Sequence, residues 1–325
     1  MKNILVTGGA GYIGSFMVKA LLDRGDQVVV FDNLKRGHEN AVDDRAVLVV
    51  GDILNKNDLN SLFKNYDFDA ILHFAGLISV EESSKDPELY YENNVVGSSN
   101  LFDEAVSSNI KNFIFSSTAA VYGNPIEVPI PEDHPKNPAS PYGETKLKTE
   151  LKLEELRASD SSVNYAILRY FNACGASLDG SMGESHNPET HIIPLAIKSA
   201  INNSEFKLFG TDYDTKDGTC IRDYIHVLDL VNAHILALEK ILADGGAYCY
   251  NVGTGKGFTN KEVAEMVKKV SGVDFPVIEV ERRVGDSSEL VADVKKIKEE
   301  LKFDPQYSDL QTIVESAWKW HNKNL

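Results

Sequence analysis

Tyr142 and Lys146 stand four residues apart in Ser140-Pro141-Tyr142-Gly143-Glu144-Thr145-Lys146. On a helix that spacing puts both side chains on one face, about one turn apart. A tyrosine phenol titrates near pH 10 in water, too high for a base at neutral pH. A lysine cation beside it favours the phenolate and lowers that value. Pro141 suits the first turn of a helix, so both groups are expected at its start, facing a cleft. Upstream lies Ser116-Ser117-Thr118, followed by Ala119-Ala120-Val121-Tyr122-Gly123. A hydroxyl there can hydrogen-bond a substrate oxygen and relay a proton to Tyr142. Such residues also serve as caps and hydroxyl turns; the coupling to Tyr142 and Lys146 favours chemistry at Thr118, less so at Ser117. Beside a hydride acceptor, this group of side chains oxidises an alcohol.

A rigid frame must hold these groups. Short apolar runs at residues 4–7, 28–32, 46–50, 70–74, 111–116 and 163–169 read as strands. Helical patterns separate them; Ile13, Phe16, Met17, Ala20 and Leu21 form the first apolar stripe, and Gly25 ends it. Near-continuous apolar strands alternating with helices indicate a parallel sheet covered on both faces. After about residue 172 the rhythm changes. Residues 176–189 are rich in Gly, Ser, Asp and Asn and read as loop. Helices are expected at 227–242, 260–270 and about 310–321, without strict alternation.

Thr7-Gly8-Gly9-Ala10-Gly11-Tyr12-Ile13-Gly14 joins the first strand to the first helix. Glycines at 8, 11 and 14 allow a tight turn, close approach to a pyrophosphate and close helix–strand packing, with the phosphates on the helix N-terminus. Asp32 ends the second strand about 20 residues on, where an acid binds the adenine ribose diol. That acid repels a 2′-phosphate, and the first basic residues beyond it are Lys35 and Arg36. The cofactor is therefore read as NAD, not NADP. Gly51-Asp52-Ile53 fits an adenine contact, and Phe74-Ala75-Gly76 a strand end lining the cofactor; both follow carboxyl ends of strands. The fold class is α/β: a Rossmann-type doubly wound parallel sheet (residues 1–175) with a smaller α/β C-terminal substrate domain (176–325), the boundary being approximate because segments of the second half can return to the first sheet.

The 325 residues carry a net charge of −16, which disfavours nucleic acid and anionic membrane as partners. An anionic substrate then requires a local group of arginines. Cys174, Cys220 and Cys249 are odd in number and widely spaced, fitting neither a disulfide framework nor a zinc site, and no metal is expected. A reducing, cytoplasmic location is expected: the N-terminus enters a strand directly, without a signal-peptide pattern. No apolar run approaches a membrane span.

The glycine turn and Asp32-Asn33-Leu34 are joined by His73-Phe74-Ala75-Gly76, Tyr90-Tyr91-Glu92-Asn93-Asn94-Val95 and Leu168-Arg169-Tyr170-Phe171-Asn172. Asp217-Gly218-Thr219, Arg222-Asp223-Tyr224-Ile225-His226-Val227 and Gly285-Asp286 complete the series. With these motifs the chain resembles, over nearly its whole length, the extended short-chain dehydrogenase/reductase family, and within it the UDP-sugar 4-epimerases. The resemblance implies that Tyr142 is the acid/base, that Lys146 lowers its pKa and binds the nicotinamide ribose, and that Thr118 relays the proton. It implies NAD contacts from Tyr12, Ile13, Asp32, Asn33, Asp52 and Ile53, and from Phe74, Ala75, Asn93, Ser116, Tyr170 and Phe171. It implies a UDP-sugar held by Asn172, His191, Ile192, Leu208, Phe209, Arg222, Arg283 and Asp286. Arginine suits a diphosphate because its planar fork pairs with two oxygens. A bridge to Asp223 is the competing use of Arg222.

The implied reaction is reversible inversion at C4 of UDP-galactose and UDP-glucose through a transient 4-keto sugar and bound NADH. UDP-N-acetylglucosamine or UDP-glucuronate is an alternative substrate, and a non-catalytic NAD-binding sensor a remoter reading. Nucleotide-sugar dehydratases carry Asp-Glu after the hydroxyl residue; Ala119-Ala120 here cannot transfer protons, which disfavours elimination. Four positions depart from common family choices: Thr118 for serine, Ile78 for a lysine, His191 for an asparagine, and Leu290 where a side chain limits the C2 substituent. A homodimer through helices at about 89–108 and 142–157 is expected by the same analogy.

Overall fold

Near-continuous burial of Ile4, Leu5, Val6 and Thr7 makes the first apolar run a strand with both faces covered. The computed structural model describes residues 1–283 and 286–324. In its first half lie β1 (Asn3–Thr7), α1 (Tyr12–Asp23), β2 (Gln27–Asp32), β3 (Val47–Val50), α2 (Lys56–Asn65) and β4 (Ala70–His73). A broken helical stretch follows: α3 (Val80–Lys85), α4 (Pro87–Tyr90), a π-helical turn at Tyr91–Val96, and α5 (Gly97–Ser107). Then come β5 (Asn112–Thr118), α6 (Pro141–Ser159) and β6 (Asn164–Tyr170). The second half holds β7 (Asn172–Cys174), α7 (Ile192–Asn202), β8 (Phe206–Phe209), β9 (Ile221–His226), α8 (Val227–Asp244) and β10 (Ala247–Val252). It ends with β11 (Gly257–Thr259), α9 (Asn260–Ser271), β12 (Val277–Val280), β13 (Glu289–Leu290), α10 (Lys295–Leu301) and α11 (Leu310–Asn324).

The main sheet has seven strands in the order β10-β6-β5-β4-β1-β2-β3. β1 pairs in parallel with β2 on one side and β4 on the other, Ile4 facing Val28 and Ala70. Strand order reverses between β1 and β4, which makes that crevice the topological switch point where ligands bind in open α/β sheets. Leu5, Ile71, Phe113 and Ile167 of the sheet pack with Leu59, Phe102 and Leu153 of its helices in one buried cluster.

The chain divides into two compact units, and enters each more than once. The first contains Met1–Gly123, Pro135–Arg169 and Val231–Tyr250; the second contains Asn124–His134, Tyr170–Leu230 and Asn251–Leu325. The expected boundary after residue 175 falls inside the Tyr170–Leu230 segment. The Val231–Tyr250 segment joins the first unit because β10 hydrogen-bonds to β6 and extends the main sheet.

In the second unit β9 is central. It pairs in parallel with β7 and β13 and antiparallel with β11, while β8 and β12 form a separate parallel pair. Ile193 and Ile197 of α7, Val263 and Val267 of α9, and Ile313 and Val314 of α11 build its core. Thr259 and Glu262 close a capping box on α9, and Gly272 ends that helix at φ 71°.

Candidate active site

Ser140 sets the start of α6: its hydroxyl accepts from Gly143 N at 3.2 Å, and Pro141 occupies the first turn. Tyr142 and Lys146 are thereby buried together, at 8% and 4% exposure. The Tyr142 backbone N–H donates to Ser83 Oγ at 3.1 Å. Lys146 Nζ donates to the Ser116 carbonyl at 2.9 Å and lies 5.0 Å from the Phe115 ring centre. The lysine is thus anchored to the carboxyl half of β5, where Thr118 also sits. Burial pulls Lys146 down to about 8, with the Glu150 carboxylate working in the opposite direction.

Thr118 Oγ1 accepts from Ala120 N at 3.2 Å and caps the short 3-10 turn Ala119–Val121. Capping uses the oxygen as acceptor and does not consume the hydroxyl hydrogen that a proton relay would need. Ser117 differs. Its hydroxyl donates to Glu150 Oε1 at 2.5 Å inside the core.

Glu150 was not singled out from the sequence, although it lies four residues beyond Lys146 on the same helical face. Arg169 of β6 grips it with both prongs, Nε to Oε1 at 2.9 Å and Nη2 to Oε2 at 2.7 Å, and gives Nη1 to the Tyr122 hydroxyl at 2.9 Å. Burial opposes the Arg169 charge, and the Glu150 carboxylate more than offsets it, holding the guanidinium above its ordinary range. This pair ties α6 to β5 and β6. Asn94 was also missed. The π-helical turn aims it inward, as such turns often do at functional sites. Its Oδ1 accepts from Leu77 N at 2.8 Å, and its Nδ2 donates to Leu77 O and Thr145 Oγ1.

The glycine turn closes against the end of β4. Gly8 has φ 72°, and a Cβ on it would lie 2.5 Å from Ala75 N. Gly8 is therefore packed on the Phe74-Ala75 backbone at the switch point. A Cβ on Gly14 would collide with the Gly8 carbonyl, while Gly11 N donates to that same oxygen at 3.1 Å. Asp32 ties the turn to β2: its carboxylate accepts from Ala10 N at 3.1 Å and Leu34 N at 2.9 Å. Asn33 Nδ2 and Lys35 Nζ both reach Asp52, at 3.1 and 2.9 Å, so Lys35 is directed to that carboxylate. Burial works against the Asp52 charge, but these donors and the Leu54 N–H hold it below the usual range.

Tyr12 opens α1 with its ring edge-on to Phe16, and Ile53 is buried beyond β3. Asn93 donates to Asn94 Oδ1 at 2.9 Å. Ser116 Oγ and the Phe74 ring both meet buried His234 of α8, at 3.2 Å and a 4.9 Å ring separation. Tyr170 ends β6 and Phe171 follows, its N–H donating to Val252 O. The turn has the close-packed backbone a pyrophosphate needs, and adding one methyl group tests it. Gly14→Ala is expected to destabilise the protein by about 1–3 kcal/mol through overpacking and to lower copurified NAD, read by thermal melting and by absorbance of the released nucleotide. An unchanged NAD content would count against the turn as the phosphate cradle.

Of the residues expected to hold the substrate, Thr118 and Tyr142 belong to the first unit, and the others lie on the second unit in three groups. Asn172 pairs in register with Tyr224 and gives Nδ2 to Asp223 O at 3.0 Å. Arg222 donates to Ile221 O and Ser287 O at 2.9 Å, and its Nη2 lies 3.4 Å from Asp286 Oδ1. Leu290 faces Arg222 in the β13–β9 register. Asp223 does not bridge to Arg222. It is buried and accepts from Thr254 N, Gly255 N and Ala292 N, fixing the backbone around β9; burial raises its pKa. In the second group Arg283 lies 4.0 Å over the Phe209 ring, beside buried Leu208 on β8. In the third, His191 is the N-cap of α7 and Ile192 its first residue. Gly285, next to Asp286, lies outside the described residues.

Known proteins match this chain in sequence and in overall fold. A family model described as the NAD dependent epimerase/dehydratase family matches residues 4–253. A UDP-glucose 4-epimerase of Rhizobium meliloti is 49% identical over 99% of this chain and 98% of its own length. One from Halalkalibacterium halodurans is 46% identical, covering 99% of this chain and 96% of its own. The crystal structure of UDP-glucose 4-epimerase from Brucella ovis in complex with NAD superposes with a TM-score of 0.93 at 44% identity, covering 97% of both chains. The chain belongs to the NAD dependent epimerase/dehydratase family.

Proposed function

We propose that this chain interconverts UDP-galactose and UDP-glucose by inverting C4 of the sugar, with NAD as a resident cofactor. The observation that carries the reading is the buried Tyr142–Lys146 pair, with the lysine anchored to the Ser116 carbonyl at the end of β5. The near-full-length identity to UDP-glucose 4-epimerases supports the substrate.

NAD would be held by Gly8, Gly11 and Gly14 at its pyrophosphate, by Asp32 at the adenine ribose, and by Asp52, Ile53 and Asn33 near the adenine. Phe74, Ala75, Asn93, Ser116, Tyr170 and Phe171, with Tyr12 and Ile13, would line the remainder. When bound, the cofactor supplies reversible hydride acceptance at C4. The chain's own residues then move the proton. Tyr142, as phenolate, takes the C4 hydroxyl proton, directly or through the Thr118 hydroxyl, and returns it after the sugar turns over. Lys146 keeps the phenolate accessible and holds the nicotinamide ribose. Arg222 and Arg283 would grip the diphosphate while Asn172, His191, Ile192, Leu208, Phe209 and Asp286 complete the nucleotide contacts. Inversion requires that the nucleotide be held firmly and the hexose loosely. Ala119 and Ala120 form the turn after Thr118 and supply no group to eliminate water.

The test is to mix the purified protein with UDP-galactose and no added NAD. UDP-glucose should appear. A stable dehydrated keto sugar would assign a dehydratase instead, and no turnover by folded, NAD-loaded protein would overturn the reading. UDP-N-acetylglucosamine and UDP-glucuronate belong in the same panel. Lys146→Met should lower turnover and move the rising limb of the pH–rate profile upward, toward the ordinary tyrosine range near pH 10. In the parent enzyme the cation's help fades as pH rises through about 8. An unshifted limb in the variant would remove Lys146 from this role.

We also infer a homodimer through α5, α6 and the turn before them. Leu89 on α4, Val96 on the π-helical turn and Leu151 on α6 are exposed, which suits an interface along this helical stretch. Sedimentation at the monomer mass, 35.9 kDa, would refute it. We infer a cytoplasmic location from cysteines that form no disulfide among the described residues. Cell fractionation checks it.

A further inference from the structure

We propose that Glu184, His186, Glu189 and His191, on the segment between β7 and α7, form a binding site for one divalent first-row transition cation such as Zn²⁺. One donor atom from each of the four lies within 4.8 Å of the others. Glu184 Oε1 is the hub, 2.9 Å from His186 Nδ1 and 2.5 Å from His191 Nδ1, and His191 Nδ1 is 3.3 Å from Glu189 Oε1. Tetrahedral zinc with bonds of roughly 2.0–2.1 Å separates neighbouring nitrogen and oxygen ligands by roughly 3.4 Å. The three measured separations, 2.5 to 3.3 Å, all fall short of that edge, so an ion enters only as side-chain rotations spread the four donors.

The donor set selects the class of ion. Two imidazoles with two carboxylates suit zinc, cobalt or nickel, whereas calcium and magnesium take oxygen ligands. The ligands follow as Glu-x-His-x₂-Glu-x-His within one short loop, a spacing the sequence carries but which shows no recognisable period. Outer contacts hold the loop. Trp320 Nε1 donates to the Glu184 carbonyl at 2.8 Å. Glu189 Oε1 accepts from the N–H groups of Thr190 and His191 at 2.7 and 2.8 Å. Gly183 lies against the Trp320 ring so closely that a Cβ would collide with it. Such outer partners orient metal ligands. The Glu184 side chain is buried at 3% exposure while His191 is 45% exposed, which gives the ion a deep anchor and an entry route.

Bridges between carboxylates and protonated histidines would explain the contacts without a metal. They do not need four ligands to converge, nor both histidines to direct the same ring nitrogen at one oxygen. An ion here would clamp the loop to the start of α7. His191 and Ile192 lie at that start, and their role toward UDP rests on the function proposed above; the ion site itself does not.

The experiment uses full-length protein without a polyhistidine tag, stripped with a chelator and titrated with Co²⁺ and then Zn²⁺. One equivalent per chain should bind, with the intense visible bands of four-coordinate Co²⁺, bleached by Zn²⁺, and with a raised melting temperature. His186→Ala and, separately, the milder Glu189→Gln should weaken binding by about 100-fold or more, at least as much as losing an outer-shell partner costs. Absence of saturable uptake, or equal uptake by parent and both variants, would overturn the site. Stoichiometric Co²⁺ binding without epimerase activity would leave the site standing and remove the functional reading. Activity without Co²⁺ binding would do the reverse.

Discussion

Tyr142→Phe lowers turnover of UDP-galactose by roughly 10²–10⁴-fold, the usual contribution of a positioned proton-transfer group. Its bound NAD and its melting temperature stay close to those of the parent. The substitution removes one oxygen and keeps the ring. The packing contacts of this buried side chain, the backbone donation to Ser83 Oγ and the Lys146 anchor on Ser116 all persist. The loss should therefore appear in kcat far more than in KM, because in the proposed reaction the phenol meets the reacting hydroxyl and not the nucleotide. Steady-state kinetics with product separation measures the first effect, and nucleotide release followed by absorbance measures the second. A variant retaining most of its turnover would show that another group takes the proton.

Arg169→Ala costs about 3–5 kcal/mol of stability, the range found when one partner of a buried ion pair is removed. Both partners are essentially inaccessible, at 3% and 0% side-chain exposure. The truncation strands the Glu150 carboxylate with only the Ser117 hydroxyl, and withdraws the Arg169 donor from the Tyr122 hydroxyl. Urea unfolding of the NAD-saturated protein should show a lower midpoint with little change in slope. Replacing both members at once, Glu150→Leu with Arg169→Met, should recover much of the loss, because no uncompensated charge remains. A single variant within about 1 kcal/mol of the parent, well below the range for a broken buried pair, would show that the pair is not a fold constraint. Activity follows from the same geometry: Glu150 and Lys146 share one face of α6, so loosening the pair displaces the lysine relative to β5.

These two experiments probe residues of different legibility. Tyr142, Lys146 and the glycine turn can be read from the chain because their chemistry depends on local spacing. A helix repeats every 3.6 residues, and a tight βα turn demands glycine where backbone crowds backbone. Strand ends at Thr7, Asp32, His73 and Thr118 follow the apolar runs closely for the same reason. Glu150 and Arg169, nineteen positions apart, carry no such local mark. Their pairing exists only because α6 packs against β5 and β6. Asn94 depends on a π-helical turn, which no period in the sequence announces.

By itself, then, the sequence determined the strand–helix alternation that calls for a parallel sheet, the glycine turn after β1, and the one-turn spacing of Tyr142 and Lys146, all written in patterns a few residues long. Tertiary structure decided what similar side chains do in different surroundings. Ser117 and Thr118 are adjacent hydroxyls, yet one is committed to Glu150 and the other caps a turn with its proton left to donate. Arg222 has Asp223 beside it in sequence, yet alternation along β9 sends Asp223 into the core and leaves Arg222 beside Asp286. It also decided that β10 extends the main sheet and that two histidines and two glutamates converge on the loop before α7. Each of these depends on which elements pack together, a long-range outcome that neighbouring residues do not encode.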